Sequence, residues 1–348
     1  MDKGTTFTNN KNRFKMSIWQ NYNKVEKLVM LQQTAAAKKI VEQAVEKDWW
    51  VSVILMALSK TSCSDFLQFK GGTSLSKSWG LINRFSEDID LTISRSFFNL
   101  PDDTSQQRTN IRRKAYHYIE KTLITELYKI LISYEIKDFD INLVTQNSSA
   151  MVVILEIKYK SILETVIDYA MPVVKVEFSA MSLDEPFLEK EITTLINSIY
   201  PDIDNNLKCK FKSVLPERTF LEKIFLLHEE YQKNKPRTTR MSRHLYDLEK
   251  IMDTQFAQSA LQNTDLYQTI IKHRKKFNNI QGINYQSHYP ATIQICPPEK
   301  LINSWKDDYE KLWKSFIFNE KKKSFEELME RIVELTNRIR KINLKTDE

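Results

Sequence analysis

The sequence predicts an α+β protein in which a mixed first half of strands and helices is followed by a helical second half. Three observations carry this reading. Alternating, β-branched stretches such as DIDLTI, MVVILEIKYK and PVVKVEFSA fall within the first 180 residues. After Pro216 the apolar residues recur at three- and four-residue spacing with little strand signal. At 348 residues the chain is long enough for two domains. The boundary is expected near Pro216, with an α/β domain over residues 1–215 that begins with helices and a helical domain over residues 216–348.

Lys24 to Lys60 reads as two helices that buttress the core, since it has helical apolar spacing and neither Gly nor Pro. DFLQFKGG reads as a short strand running into a turn, and TSLSKSWGLI as a helix capped by Thr73 or Ser74, with Leu75, Trp79 and Ile82 on one face. DIDLTI alternates strictly, so Asp88, Asp90 and Thr92 share one face and Ile89, Leu91 and Ile93 the other. A helix from about Gln107 to Ser133 precedes three strands, FDINLVT, MVVILEIKYK and PVVKVEFSA. The second half offers helices at ERTFLEKIFLLHEEYQK, SRHLYDLEKIM and LYQTIIKHRKKF, then a long pair built on LINSWKDDYEKLWKSF and SFEELMERIVELTNRIRKI.

Composition narrows the class. No apolar run reaches the roughly eighteen residues of a membrane span, and the polar start MDKGTTFTNNKNRFK lacks the apolar centre of a signal peptide, so a cytoplasmic protein is expected. Cys63, Cys209 and Cys296 are odd in number and far apart, which argues for free thiols rather than disulfides or zinc. The formal charge of +7 is compatible with a polyanionic partner such as RNA without requiring one.

The chemistry lies in FKGGTSLSKSWGLINRFSEDIDLTI. Two aspartates at i and i+2 on a strand point the same way with Cα atoms about 6–7 Å apart. Both can bind one hard cation, Mg2+ or Mn2+, which also relieves their mutual repulsion. The side-chain-free turn at Gly71 and Gly72 lets backbone N–H groups approach phosphate oxygens, and Thr73 and Ser74 add hydroxyl donors. A lone Gly-Gly is usually a turn and a lone Asp-x-Asp a solvated strand end; their combination in the order strand, glycine turn, helix, acidic strand points to a metal-borne nucleoside triphosphate.

FKGGTSLSK followed by RFSEDIDL resembles the AbiEii/AbiGii toxin family of the DNA polymerase β-like nucleotidyltransferase superfamily. The similarity continues through EKDWWVS, ERTFLEKIFLLH, RHLYDL, DYEKL and SFEEL, and so covers most of the chain. It implies a nucleotidyltransferase fold, a mixed sheet flanked by helices, whose active cleft the C-terminal helical domain completes. By matching position it implies that Gly71, Gly72, Thr73 and Ser74 hold the triphosphate and that Asp88 and Asp90 hold metal. Arg84 and Ser86 match the family segment as further nucleotide contacts, and without the resemblance Arg84 reads as an ordinary loop residue.

The superfamily places a third carboxylate on a later strand, and Glu177 in VVKVEFS is the candidate, on the face opposite Val174, Val176 and Phe178. Its local pattern fits equally a wet strand face shared with Lys175. The superfamily more often has Asp there, which leaves the identity of the base open. Lys223 falls at the margin of an apolar helix face, where a lysine commonly snorkels to water, and the resemblance implies a nucleotide contact. Arg243 and Asp247 read either as a surface i,i+4 pair, worth about 0.3–0.5 kcal/mol, or, by resemblance, as a phosphate contact and a functional acid beside Lys223. The five histidines are scattered, without zinc spacing.

KNKPRTTRMSR, residues 233–243, carries five basic residues and no acid, and reads either as a solvated loop or as a guide for RNA, with Arg112, Arg113 and Lys114 as an extension of that patch. Trp49 and Trp50 read as core. The resemblance implies a toxin of a type IV toxin–antitoxin or abortive-infection (phage-defence) pair. Such an enzyme transfers a nucleoside monophosphate from an NTP to RNA, at the acceptor end of tRNA, and is restrained by a separately encoded antitoxin. Two rivals stand beside it: an NTP- or RNA-binding protein without catalysis, and a nucleotidyltransferase that modifies a protein hydroxyl.

Overall fold

The computed structural model describes residues 17–86, 88–99, 108–164, 171–180, 186–278, 280–317 and 321–344. The polar N-terminal stretch through Lys15, Glu87 of the acidic motif and Gln107 lie outside the described residues. A seven-stranded mixed sheet runs in the order β3-β4-β5-β2-β1-β7-β6. Its strands are β1 (Leu67–Lys70), β2 (Asp88–Ile93), β3 (Phe139–Leu143), β4 (Val153–Tyr159), β5 (Val173–Ser179), β6 (Phe187–Ile192) and β7 (Cys209–Val214). β1 lies antiparallel to β2 and parallel to β7, and β2 lies parallel to β5. The sheet and its helices are those of an α+β nucleotidyltransferase-type fold with a helical second part.

The N-terminal helices do buttress the sheet. α1 (Lys24–Lys38) starts with a reciprocal capping box between Asn23 and Glu26, and α2 (Glu42–Leu58) is buried over nearly its whole length. Trp49 and Trp50 belong to the core, Trp50 stacking on Tyr159 with ring centroids 4.8 Å apart. Asp204 ties this layer down: its carboxylate accepts from Trp19 N at 2.9 Å, Trp49 Nε1 at 3.1 Å and Thr194 Oγ1 at 2.9 Å. All three cysteines are free thiols.

Several boundaries differ from the sequence reading. The helix after β1 is α3 (Gly71–Lys77), so it begins within the glycine pair rather than at a Thr73 or Ser74 cap, and Trp79 lies beyond its end. The long helix after β2 is continuous as α4 (Arg108–Tyr118), a π turn (Ile119–Leu123) and α5 (Ile124–Ser133). β6 and β7 were not visible in the periodicity because FLEKEI and CKFKSV are short and interrupted by charge. β6 is moreover an edge strand with Phe187 and Leu188 exposed, so burial imposes no apolar face on it.

The helical half comprises α6 (Pro216–Gln232), α7 (Ser242–Ile251), α8 (Gln255–Gln262), α9 (Thr264–His273), α10 (Ile302–Phe316) and α11 (Phe325–Arg340). α8 escaped the sequence reading because QFAQSALQ buries only Ala257 and Ala260. Pro216 occupies the first turn of α6, where its missing N–H costs nothing. Among the described residues two large apolar cores result, one running from Ile18 to Phe211 around the sheet and one uniting residues 220–339, with a small third cluster of Ile111, Ala115, Ala180 and Phe277. Leu75 of α3 and Ile82 belong to the second core, and Phe85 N donates to Phe316 O at 2.7 Å. The segment between α3 and β2 is therefore stitched to the helical half while both its ends belong to the sheet. Among the described residues no helix is long and apolar enough to cross a membrane.

Candidate active site

The floor of the site is set by strand register. Parallel pairing of β2 with β5 places Asp90 opposite Glu177 and Asp88 opposite Lys175, so both aspartates and Glu177 face one side of the sheet. That face opens into a cavity of about 480 Å³ whose lining includes Asp88, Asp90, Glu177, Gly71, Gly72 and Lys223.

The glycines are there for contact as well as conformation. Gly71 has φ +77°, and a Cβ on it would overlap Oδ2 of Asp90. A Cβ on Gly72 would meet Nη2 of Arg84 and come within 3.0 Å of Ser86 Oγ. Thr73 Oγ1 donates to the main-chain carbonyl of Asp88 at 2.5 Å and sits 2.9 Å from Ser86 Oγ. Thr73 and Ser74 are buried and do not line this cavity, so the structure presents the glycine backbone to a ligand and turns the two hydroxyls away from it.

The wall opposite the carboxylates is cationic and comes from the helical half. Asp247 of α7 is fully buried and holds Arg84 in a bidentate pair, Nε–Oδ1 at 2.6 Å and Nη2–Oδ2 at 2.8 Å. Its Oδ2 also takes Lys223 Nζ of α6 at 2.9 Å. Asp247 does not line the cavity; Arg84 and Lys223 do. The i,i+4 spacing of Arg243 and Asp247 thus conceals the true partner, Arg84, which lies 163 positions away. Arg243 points into the cavity with its Nε buried and without a hydrogen-bond partner.

Burial and charge divide the titrations. Burial opposes ionisation of Asp247, yet Arg84 and Lys223 hold its carboxyl well below the usual range. Burial lowers the Lys223 ammonium, with Asp247 holding it back up. On the floor the balance is reversed. Burial raises the Asp90 carboxyl, Lys70 opposing and Asp88 adding to the rise, and burial together with Asp90 and Asp88 pushes Glu177 up to about 7. His244, 3.5 Å from Lys223 Nζ through its Nδ1, is kept neutral by burial, Lys223 and Arg243.

Several lining residues escaped the sequence reading. Lys70, opposite Asp90 in the β1–β2 ladder, is the strongest cationic influence on that carboxyl, and its place beside the glycine turn was the available signal. Arg218, Glu222 and Arg274 form an ionic wall: Arg218 pairs with Glu222 at 2.7 Å, and Arg274 with Glu222 and with Glu229, the latter at 2.6 Å. α6 and the π turn after α9 bring these residues together, and nothing in their sequence spacing announces it. In the basic loop, Lys233 and Arg237 are neutralised by Glu230, while Arg240 and Arg243 face inward. Arg112 donates instead to Ser149 O at 3.5 Å and does not line the cavity.

The donor set fits a hard divalent cation. All three floor groups are carboxylates, burial and their mutual repulsion raise Glu177, and the side-chain-free turn at Gly71 leaves room for the Asp90 carboxylate. Among the described residues no group of three or more His, Cys, Asp or Glu side chains stands at ligand spacing, so the carboxylates face a common cavity without closing a cage. A family model described as nucleotidyl transferase AbiEii toxin, type IV toxin–antitoxin system, matches residues 53–331. No curated protein gave a match.

Two outcomes follow from the geometry. Asp247→Asn leaves Arg84 and Lys223 as neighbouring buried cations, so urea unfolding should show a loss of about 3–5 kcal/mol; a loss under about 1 kcal/mol, the scale of surface pairs, would contradict the clamp. Burial and the neighbouring aspartates push folded Glu177 up to about 7 from the ordinary 4.5, so in metal-free protein its contribution to stability falls as pH rises through that window. The Tm of Glu177→Gln should therefore exceed that of the wild type by a margin that grows from about pH 5 to about pH 8 and shrinks with saturating Mg2+; a margin independent of pH would refute it.

Proposed function

The chain belongs to the AbiEii family of type IV toxin–antitoxin nucleotidyltransferases, and from that premise we propose that it transfers a nucleoside monophosphate from an NTP to a hydroxyl of RNA, at the acceptor end of tRNA. Residues 216–348 act in this reading as a helical domain that completes the cleft. The observation that carries the proposal is the opposition, across one cavity of about 480 Å³, of three strand-borne carboxylates to a cationic wall supplied by the helices.

In the reaction the acceptor hydroxyl gives up its proton to solvent as its oxygen bonds to the α-phosphorus, the bridging bond to the β-phosphate breaks, and pyrophosphate departs with the electron pair. Asp88, Asp90 and Glu177 would hold Mg2+ or Mn2+, which when bound would supply Lewis-acid activation and charge neutralisation. Backbone N–H groups at Gly71 and Gly72 approach the phosphates, where a Cβ on Gly71 would collide with Asp90. Lys223 and Arg243 offset triphosphate charge from the opposite wall, and Ser86 stands at the rim between them and the glycines. Asp247 touches no substrate; it is a positioning residue that fixes Arg84 and Lys223.

Such an enzyme works on RNA in the cytoplasm and, unrestrained, arrests its own cell, which is the logic of a separately encoded antitoxin and of use in phage defence. The test is incubation of the protein with Mg2+, total RNA, protein extract and each α-labelled NTP in turn, beside an Asp88→Asn control. Label should enter small RNA with at least one NTP and fall by roughly a hundredfold or more in the control, as expected for losing a metal interaction worth several kcal/mol. Label in ribonuclease-resistant protein would redirect the reading to a protein acceptor, and no label with any NTP would end the catalytic one.

A further inference from the structure

A second chamber of about 270 Å³ adjoins the catalytic cavity, sharing Arg84, Ser86 and Arg243 with it, and lies between the loop before α7 and the side of α10. Its chemistry differs from that of the carboxylate floor. Arg240 enters from the loop, Arg243 from the first turn of α7 and Lys311 from α10, with the hydroxyls of Thr238, Thr239 and Ser304 around them. Lys311 and Arg243 have no carboxylate partner among the described residues. The two lining acids are unequal. Asp308 is engaged by the main-chain N–H of Arg240, by Ser242 N at 2.9 Å and by Ser242 Oγ at 2.6 Å. That leaves Asp307 facing the chamber with an acceptor to offer.

The loop is built to hold this shape. Arg240 adopts φ +60°, a left-handed conformation costly for a residue with a side chain, and Asp308 fastens the peptide N–H groups on either side of it. The guanidinium of Arg240 then lies 5.7 Å from the ring centroid of Phe316, at the end of the helix that also carries Lys311.

We propose that this chamber seats the terminal ribonucleotide of the acceptor RNA. Arg243 and Lys311 answer the phosphodiester, the hydroxyl residues bond its free oxygens, and Asp307 accepts from the ribose 2′-hydroxyl, the group that distinguishes RNA from DNA. The shared rim at Ser86 and Arg243 delivers the acceptor's terminal hydroxyl to the Asp88 end of the carboxylate floor, while the triphosphate occupies the glycine turn in the larger cavity. The inference rests on nucleotidyl transfer as the activity and adds where the acceptor enters and what selects it.

The test uses the full chain and a short fluorescein-labelled single-stranded RNA, with a DNA of the same sequence as competitor, read by anisotropy across a salt series; binding of a non-hydrolysable NTP analogue is measured in parallel. Lys311→Glu and, on the opposite lip, Thr239→Glu should each weaken RNA binding by roughly tenfold. Lys311→Glu should also lower the salt slope by about one unit. NTP affinity should hold, and Asp307→Ala should erase the preference for RNA over DNA. Lys314→Glu, one turn's reach along the same helix but outside the lining, should change neither. RNA binding unaltered in both lip variants would overturn the proposal, and so would a parallel loss of NTP affinity, which would assign the chamber to the nucleoside of the NTP. If RNA binding falls as expected while the wild type transfers no label, the chamber stands and the catalytic reading fails.

Discussion

The site depends on one buried carboxylate. Asp247 lies in the helical half, Arg84 in the segment between α3 and β2, and Lys223 on α6, and the pairs at 2.6–2.9 Å join all three. Desolvating three charged groups is expensive, and well-packed apolar residues of the same volume commonly do as well or better for stability alone. The arrangement makes sense as a device for geometry. It fixes a guanidinium and an ammonium opposite the sheet, and it pins the loop that carries Ser86 against the glycine turn.

From that clamp the electrostatics of the cavity follow. Without Asp247 the cationic wall would repel itself; with it, Lys223 can remain near the surface of a largely buried site. On the carboxylate floor, burial together with Asp90 and Asp88 pushes Glu177 up to about 7. The cationic wall suits a polyphosphate, and the clustered carboxylates of the floor suit the divalent cation that would accompany it. Gly71 and Gly72 serve both sides, because a side chain on the first would strike Asp90 and one on the second would strike Arg84, which the clamp prevents from yielding.

Local pattern made the floor legible. The alternation of DIDLTI puts Asp88 and Asp90 on one face, that of VVKVEFS puts Glu177 opposite its apolar neighbours, and the parallel ladder aligns the two faces as such alternation requires. The wall was far less legible. Lys223 and Arg243 came from family resemblance, and the partnership of Asp247 with Arg84 spans 163 positions, a separation that periodicity cannot bridge. The Arg218–Glu222–Arg274 wall and the strands β6 and β7 were missed for different reasons: the first is made only by tertiary contact, and the strands are short, charge-interrupted segments held by backbone pairing, β6 at the sheet edge and β7 between it and β1. In the basic loop the pattern could not separate Lys233 and Arg237, which Glu230 answers from the preceding helix, from Arg240 and Arg243, which line the second chamber.

The central claim is that the floor and the wall make a single metal-dependent NTP site. Calorimetric titration of the protein with a non-hydrolysable NTP, with and without Mg2+, tests it most directly when repeated on Asp90→Asn. The account predicts binding at least about tenfold tighter with Mg2+ in the wild type and no such gain in the variant. Equal affinity with and without the ion, or a gain that survives Asp90→Asn, would contradict it.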